Sequence, residues 1–125
     1  MRKLLGVVPV ALLACAAPIG SQEPLDGVWA LGSAIQSPLD PQRLTLVQHG
    51  TKVDGSGHAM GVDSDLPVSV EGSIAGPDVV LTFHFANGGD VIGEYTASLG
   101  ADGRLVGVLV LNGPWPSHGL TYSRK

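Results

Sequence analysis

Along most of the chain after residue 26, apolar and polar side chains alternate with a period of two residues. This pattern constrains the fold more than any other feature, and it is clearest in the runs 68–74, 79–85 and 91–99. No segment in this part of the chain keeps the 3.6-residue apolar period of an amphipathic helix for three turns. Because successive side chains of a strand point to opposite faces, the alternation predicts an all-β protein whose strands each bury one face.

Turn signals separate the apolar runs and divide the chain into strands. They stand at Gly50-Thr51, Gly76-Pro77-Asp78, Asn87-Gly88-Gly89 and Ala101-Asp102-Gly103. Short turns between most neighbours predict an antiparallel meander, and eight strands of this kind close into an up-and-down β-barrel that has no free edge. The eight candidate strands are 27–35, 42–49, 52–60, 67–74, 78–86, 90–99, 104–112 and 118–124.

The hairpin turns also predict the register of the sheet. A three-residue loop ending in Gly103 suits a type I turn with a bulge. The predicted pairs are Leu99 with Leu105, Ala97 with Gly107, Tyr95 with Leu109, Phe85 with Val91, Phe83 with Gly93, Gln48 with Val53, and Leu46 with Gly55. All three hairpins then share one apolar face, and a slip of one residue would lose that agreement.

Glycines inside the predicted strands mark places where a barrel wall bends sharply. They are Gly55, Gly72, Gly93 and Gly107. The polar face of the strands carries residues such as Asp54, Glu71 and Glu94, whereas a membrane-spanning barrel turns its apolar residues outward. The sequence therefore predicts a barrel that does not itself span a membrane.

The first residues have the organisation of an export signal. Arg2 and Lys3 precede an apolar run from Leu4 to Leu13, which is too short to span a bilayer and fits a secretory signal. The run ends in Leu12-Leu13-Ala14-Cys15, which resembles the lipobox of bacterial lipoproteins. The resemblance implies that Cys15 is acylated and becomes the mature N-terminus. The alternative is ordinary secretion, with cleavage at the Ala-x-Ala sequence of residues 14–16.

This interpretation divides the chain into a signal segment (1–15), a tether (16–25) and a β-barrel domain (26–125). The residue after the cysteine is Ala16 and not Asp. By resemblance to Gram-negative lipoproteins, this implies the periplasmic face of the outer membrane. If the alternative holds, the protein is soluble in the periplasm or secreted.

Charge and cysteine content narrow the possible partners. The chain carries a formal charge of −4, and removal of Arg2 and Lys3 leaves five basic and eleven acidic residues, a net charge of −6. Nucleic acid is therefore not expected as a partner. A single cysteine excludes an internal disulfide and a zinc site built on several cysteines.

No catalytic or metal-binding pattern stands out. The four histidines, at positions 49, 58, 84 and 118, do not have the close spacing of metal ligands. His58 and His84 are expected on the outer face of non-adjacent strands, and Ser117-His118 has no clear acidic partner. We therefore expect no enzyme activity, no metal and no cofactor.

The two ends of the barrel domain carry a further resemblance. Gly27-Val28-Trp29 opens the first strand and Arg124 closes the last. This resembles the lipocalin and avidin superfamily, in which a Gly-x-Trp plugs one barrel end and, in lipocalins, a final-strand Arg packs across the Trp. The resemblance implies that Gly27, Trp29 and Arg124 form a structural barrel end. The chain departs from it in lacking the helix that follows a lipocalin barrel and the tryptophan-rich biotin pocket of avidins.

Aromatic residues on the inner face suggest a binding function. If they leave a gap, a small apolar ligand or lipid would fit in the barrel; the alternative is that they fill it. Trp115, between Pro114 and Pro116, would either cover the barrel or contact a partner. Outward Val106, Val108 and Val110, with Ile92 nearby, suggest a homodimer or partner face, or a face covered by the loop that carries Trp115 or by the N-terminal segment. The candidate ligand-lining residues are Trp29, Phe83, Phe85, Tyr95 and Tyr122.

The sequence thus favours an exported, lipid-anchored small β-barrel that binds an apolar molecule in the cell envelope. The alternative is an envelope interaction or inhibitor protein that acts through its outer face and loops and has no ligand cavity.

Overall fold

The computed structural model describes residues 23–61 and 65–125. These residues form eight antiparallel strands in one closed barrel, in which each strand pairs with its neighbours in sequence and the first pairs with the last. The prediction of an all-β, eight-stranded up-and-down barrel is confirmed. The strands are β1 (Gly27–Leu31), β2 (Pro41–His49), β3 (Lys52–Ala59), β4 (Leu66–Ala75), β5 (Asp78–Phe85), β6 (Val91–Leu99), β7 (Leu105–Leu111) and β8 (His118–Arg124).

The first strand is shorter than predicted. β1 ends at Leu31, not at residue 35. Beyond Gly32 the backbone no longer pairs with β8. The amide of Gly32 donates a hydrogen bond to the carbonyl of Thr121 at 2.7 Å, and the Ser33 hydroxyl accepts one from the Thr121 amide at 3.1 Å. Residues 32–40 then form a loop over one end of the barrel.

The predicted register holds in two hairpins and fails in part of the third. The β2–β3 and β6–β7 pairs are those expected. In β5–β6, Phe83 pairs with Gly93 as predicted, but a register shift follows, so that Val91 pairs with His84 and not with Phe85. The irregularity exchanges the expected faces of two residues: Val91 is 38% exposed and Ile92, expected outward, is 2% exposed.

The core is the barrel interior, filled by the apolar residues of the alternating pattern. Among the residues that the structure describes, twenty hydrophobic side chains are buried there. Leu25 is among them, and its amide donates a hydrogen bond to Gln48 Oε1 at 3.1 Å. Residues at the end of the predicted tether therefore already pack against the barrel.

Glycines inside the strands allow neighbouring backbones to approach closely. A Cβ at Gly107 would lie 2.5 Å from Ala97 Cα and would also strike the Thr96 carbonyl. A Cβ at Gly72 would lie 2.9 Å from Leu81 Cα and would strike the Val80 carbonyl. Only glycine fits at such points, which is why these residues interrupt otherwise apolar faces.

Candidate functional site

The two ends of the barrel differ. We call one end the closed end. It carries residues 23–26, the C-terminus and the turns after β2, β4 and β6. The end formed by the loops after β1, β3, β5 and β7 is called the open end. Cys15 and residues 16–22 of the predicted tether lie outside the described residues.

The structure brings Gly27, Trp29 and Arg124 together at the closed end. Trp29 is fully buried, and its indole Nε1 donates a hydrogen bond to the Leu25 carbonyl at 3.0 Å. The Arg124 guanidinium carbon lies 4.6 Å from the centroid of the Trp29 ring, within the range of a cation–π interaction. Arg124 also donates hydrogen bonds to the carbonyls of Asp26 and Pro24. A Cβ at Gly27 would lie 3.4 Å from Arg124 Nη1. This arrangement seals the closed end.

Three of the five aromatic residues proposed to line a ligand site pack against one another. Phe83 stacks on Tyr95 with a centroid separation of 6.2 Å, and Tyr95 meets Tyr122 edge-on at 5.5 Å. These three side chains and Trp29 have no exposed surface. Phe85, near the open end, is half-buried against the same core. Protein side chains therefore occupy the space between these residues.

Both buried tyrosines satisfy their hydroxyl groups on backbone carbonyls. Tyr95 Oη donates to Leu120 O at 2.7 Å, and Tyr122 Oη donates to Pro41 O at 2.6 Å. Burial raises the pKa of Tyr95. Burial also raises the pKa of Tyr122, and the nearby Tyr95 and Asp40 add to that shift. The neutral phenol forms stabilise the interior because they donate hydrogen bonds without burying a charge.

A buried acid–histidine pair lies at the open end. Asp40 Oδ1 and His118 Nε2 are 2.6 Å apart, and the exposed fractions of the two side chains are 0% and 9%. The other carboxylate oxygen of Asp40 accepts hydrogen bonds from the amides of Gln36 and Ser37. His118 Nδ1 lies 3.3 Å from the Pro116 carbonyl. The pair therefore joins the loop after β1 to the loop after β7.

The expectation that His118 lacks an acidic partner is wrong. Asp40 is 78 residues earlier in the chain and lies in a loop. Only closure of the barrel, which sets β1 beside β8, brings the two side chains together. The weak sequence signal was Asp40 itself, a carboxylate that follows Leu39 and precedes Pro41 just before an apolar strand.

A small cleft lies next to this pair, with a volume of about 120 Å³. Trp115 forms one side of it and is 58% exposed. The indole packs against Gly113, where a Cβ would lie 3.3 Å from indole atoms. An exposed aromatic ring thus stands beside a partly apolar recess. The cleft is lined by Gln36, Ser37, Pro38, Leu111, Trp115, Pro116 and His118.

Two other histidines pair with carboxylates on the outer surface. His58 Nδ1 lies 3.1 Å from Asp65 Oδ2, and His84 Nε2 lies 3.3 Å from Glu71 Oε2. As expected, they stand on non-adjacent strands, β3 and β5. Within residues 23–61 and 65–125, no group of three or more His, Cys, Asp or Glu side chains is placed to hold a metal ion.

Comparison with protein-family models, curated proteins and solved structures found no match. Among the residues that the structure describes, no helix is long and apolar enough to cross a membrane. The function must therefore be argued from the geometry of the barrel itself.

Proposed function

We propose that this chain is an exported, lipid-anchored protein of the cell envelope that binds another protein through the open end of its barrel. One contrast carries the proposal. Phe83, Tyr95 and Tyr122 are buried against one another in the interior, whereas Trp115 is 58% exposed beside a cleft. This favours the interaction function among those that the sequence suggests.

The surroundings of Trp115 suit a protein contact. Pro114 and Pro116 restrict the backbone on both sides of the ring, so little conformational entropy is lost when the ring is covered. Tryptophan is enriched among residues that dominate binding energy at interfaces. The cleft of about 120 Å³ is slightly smaller than a cavity of about 150 Å³ that holds benzene. A cleft of this size has room for one side chain of a partner.

The proposed anchor and Trp115 belong to opposite ends of the barrel. The described chain starts at the closed end, and residues 16–22 would separate it from Cys15. Seven residues reach about 25 Å when extended. In the proposed anchored protein, the tether therefore leaves from the closed end, and Trp115 lies at the end opposite to the attachment.

Site-specific photo-crosslinking in the source cells tests the partner contact. A benzophenone amino acid at position 115 should give a discrete adduct with another protein. The same probe at Thr45, an exposed position on β2, is the control and should not. The absence of an adduct at position 115, or the same adducts at both positions, would overturn the proposal.

Fractionation of the cells tests the anchor separately. Cys15→Ser should move the protein from the membrane fraction to the soluble fraction, because several acyl chains at about 0.8 kcal/mol per buried CH2 hold a protein firmly. A protein that is already soluble before the substitution has no such anchor.

Binding of an apolar small molecule stays a second prediction. The apolar side chains Leu39, Leu66 and Phe85 are half-buried at the open end and pack against the core. A ligand would enter past them. Native mass spectrometry of the protein purified from its envelope should then show an additional mass that Phe85→Asp removes. A spectrum with the apoprotein alone would exclude this function.

A further inference from the structure

The outer wall of the barrel has one half that is nearly free of charge. The outward side chains of β7 are Val106, Val108 and Val110, which are 54%, 45% and 55% exposed. Across the sheet their neighbours are uncharged except for Glu94 on β6, which pairs with Val110. The flanking outward residues are Thr96 and Ser98 on β6, Gly119, Thr121 and Ser123 on β8, and Val28 and Ala30 on β1.

The opposite half of the wall is charged. Within β6, β7, β8 and β1, all of which lie in the described part of the chain, Glu94 is the one outward residue with a charge. We call the half formed by β6, β7, β8 and β1 the neutral wall. By contrast, the outward residues of β2 to β5 include many titratable groups. These are Arg43, His49, Lys52, Asp54, His58, Glu71, Asp78 and His84.

We propose that the neutral wall binds a second copy of this chain and forms a symmetric dimer. In a two-fold interface the same patch lies on both sides, so any charge near the axis meets its own like charge. The chain is acidic overall, with a net charge of −4, and two copies repel each other over most of their surface. The neutral wall carries one carboxylate, Glu94 beside Val110. A dimer axis near Val106 and Val108 therefore avoids most of this repulsion and brings apolar side chains together.

The size of the wall fits a reversible dimer. Four strands spaced by about 4.8 Å, with about six residues each, span roughly 19 by 20 Å. The three valines expose about 250 Å² of apolar surface per copy, slightly below the roughly 300–600 Å² of the largest apolar patch on a typical monomer. Stable interfaces bury about 800 Å² per partner. The wall is below that size, and we therefore expect dissociation in the micromolar range and not an obligate dimer.

Sedimentation velocity of the purified full chain carrying Cys15→Ser tests the proposal. Between about 5 µM and 1 mM, the sedimentation coefficient should rise from the monomer to the dimer value. Val108→Glu should raise the dissociation constant at least tenfold, because two carboxylates would meet across the interface. Val47→Glu is the matched control: Val47 is also 45% exposed and outward, but on β2. It adds the same charge and should leave association unchanged.

A disulfide experiment keeps the test independent of folding defects in the glutamate variant. In the same background, oxidation of Val108→Cys should form covalent dimers much faster than oxidation of Val47→Cys. A chain that is monomeric over the whole range, or equal effects of the Val47 and Val108 variants, would overturn the proposal. The same holds if Val108→Cys, when oxidised in the source cells, links only to other proteins. This dimer does not depend on the contact at Trp115, so either proposal can fail without the other.

Discussion

A methyl group added at Gly107 should destabilise the barrel by about 3 kcal/mol, at the upper end of the range for overpacked sites. The reason is backbone proximity. The new Cβ of Gly107→Ala would lie 2.5 Å from both Cα and Cβ of Ala97, and it would also strike the carbonyl oxygen of Thr96. That carbonyl belongs to the β6 backbone, so a side-chain rotation cannot relieve the contact. β6 and β7 must separate locally, which weakens their pairing.

The expected loss is large relative to the stability of a domain of this size. Domains unfold with a free energy of about 5–15 kcal/mol, and 1 kcal/mol moves Tm by about 4–8 °C at this length. The Gly107→Ala protein should therefore unfold roughly 12–24 °C below the parent. Circular dichroism during thermal unfolding and urea titration at 25 °C would measure the two quantities.

Gly119 provides the matched control. It lies on the adjacent strand, β8, and its Cβ would meet only the Gly107 carbonyl at 3.6 Å, an ordinary contact. Gly119→Ala should be neutral or stabilise the fold by up to about 1 kcal/mol, because it lowers the entropy of the unfolded chain. Adding Ala97→Gly to Gly107→Ala should recover only part of the loss, since the Thr96 carbonyl remains. The reasoning is refuted if Gly107→Ala costs less than 1 kcal/mol or no more than the control.

Three further predictions concern polar side chains that hydrogen-bond within the barrel or at its ends. Because burial raises the pKa of Tyr95 and Tyr122 above the usual value of 10, their contribution to stability is complete below pH 10 and falls above it. Above pH 10, urea titrations should show the unfolding free energy falling by about 1.4 kcal/mol per pH unit for each tyrosine. Tyr95→Phe should halve that slope, and an unchanged slope would contradict a raised pKa for Tyr95. Asp40→Ala should cost about 3 kcal/mol because His118 and two loop amides lose their acceptor, and a double-mutant cycle with His118→Ala should give a coupling above about 1 kcal/mol. Arg124→Met should lower the unfolding free energy by about 2 kcal/mol through loss of the cation–π contact and two hydrogen bonds, and no change would show that the closed end is sealed without it.

The strands and most of their register could be predicted because both depend on local patterns. A two-residue alternation assigns each side chain to a face, and turn length then fixes which residues pair. The bulge between β5 and β6 was not predicted, because the hairpin sequence does not show where an extra residue enters the ladder. As a result the faces of Val91 and Ile92 were exchanged.

The open end could not be predicted in the same way. Its loops have no periodicity, and the contact between Asp40 and His118 joins residues 78 positions apart. Each residue alone resembles an ordinary loop residue. Only the completed barrel places the carboxylate, two backbone amides and an imidazole at one point.

The proposed contacts use separate parts of one small barrel, and this has a measurable consequence. The tether would leave from the closed end, the open end would meet a partner, and the neutral wall runs parallel to the barrel axis between them. Two anchored copies standing side by side could therefore join their neutral walls without releasing either anchor. Confinement to a membrane raises the effective concentration of the second copy. A short linker between two molecules has the same effect and gives effective concentrations in the millimolar range. Disulfide formation by Val108→Cys should accordingly be faster in membranes that hold the acylated protein than in dilute solution with Cys15→Ser at equal protein amount. Equal rates in the two settings would show that the wall and the anchor cannot be used together.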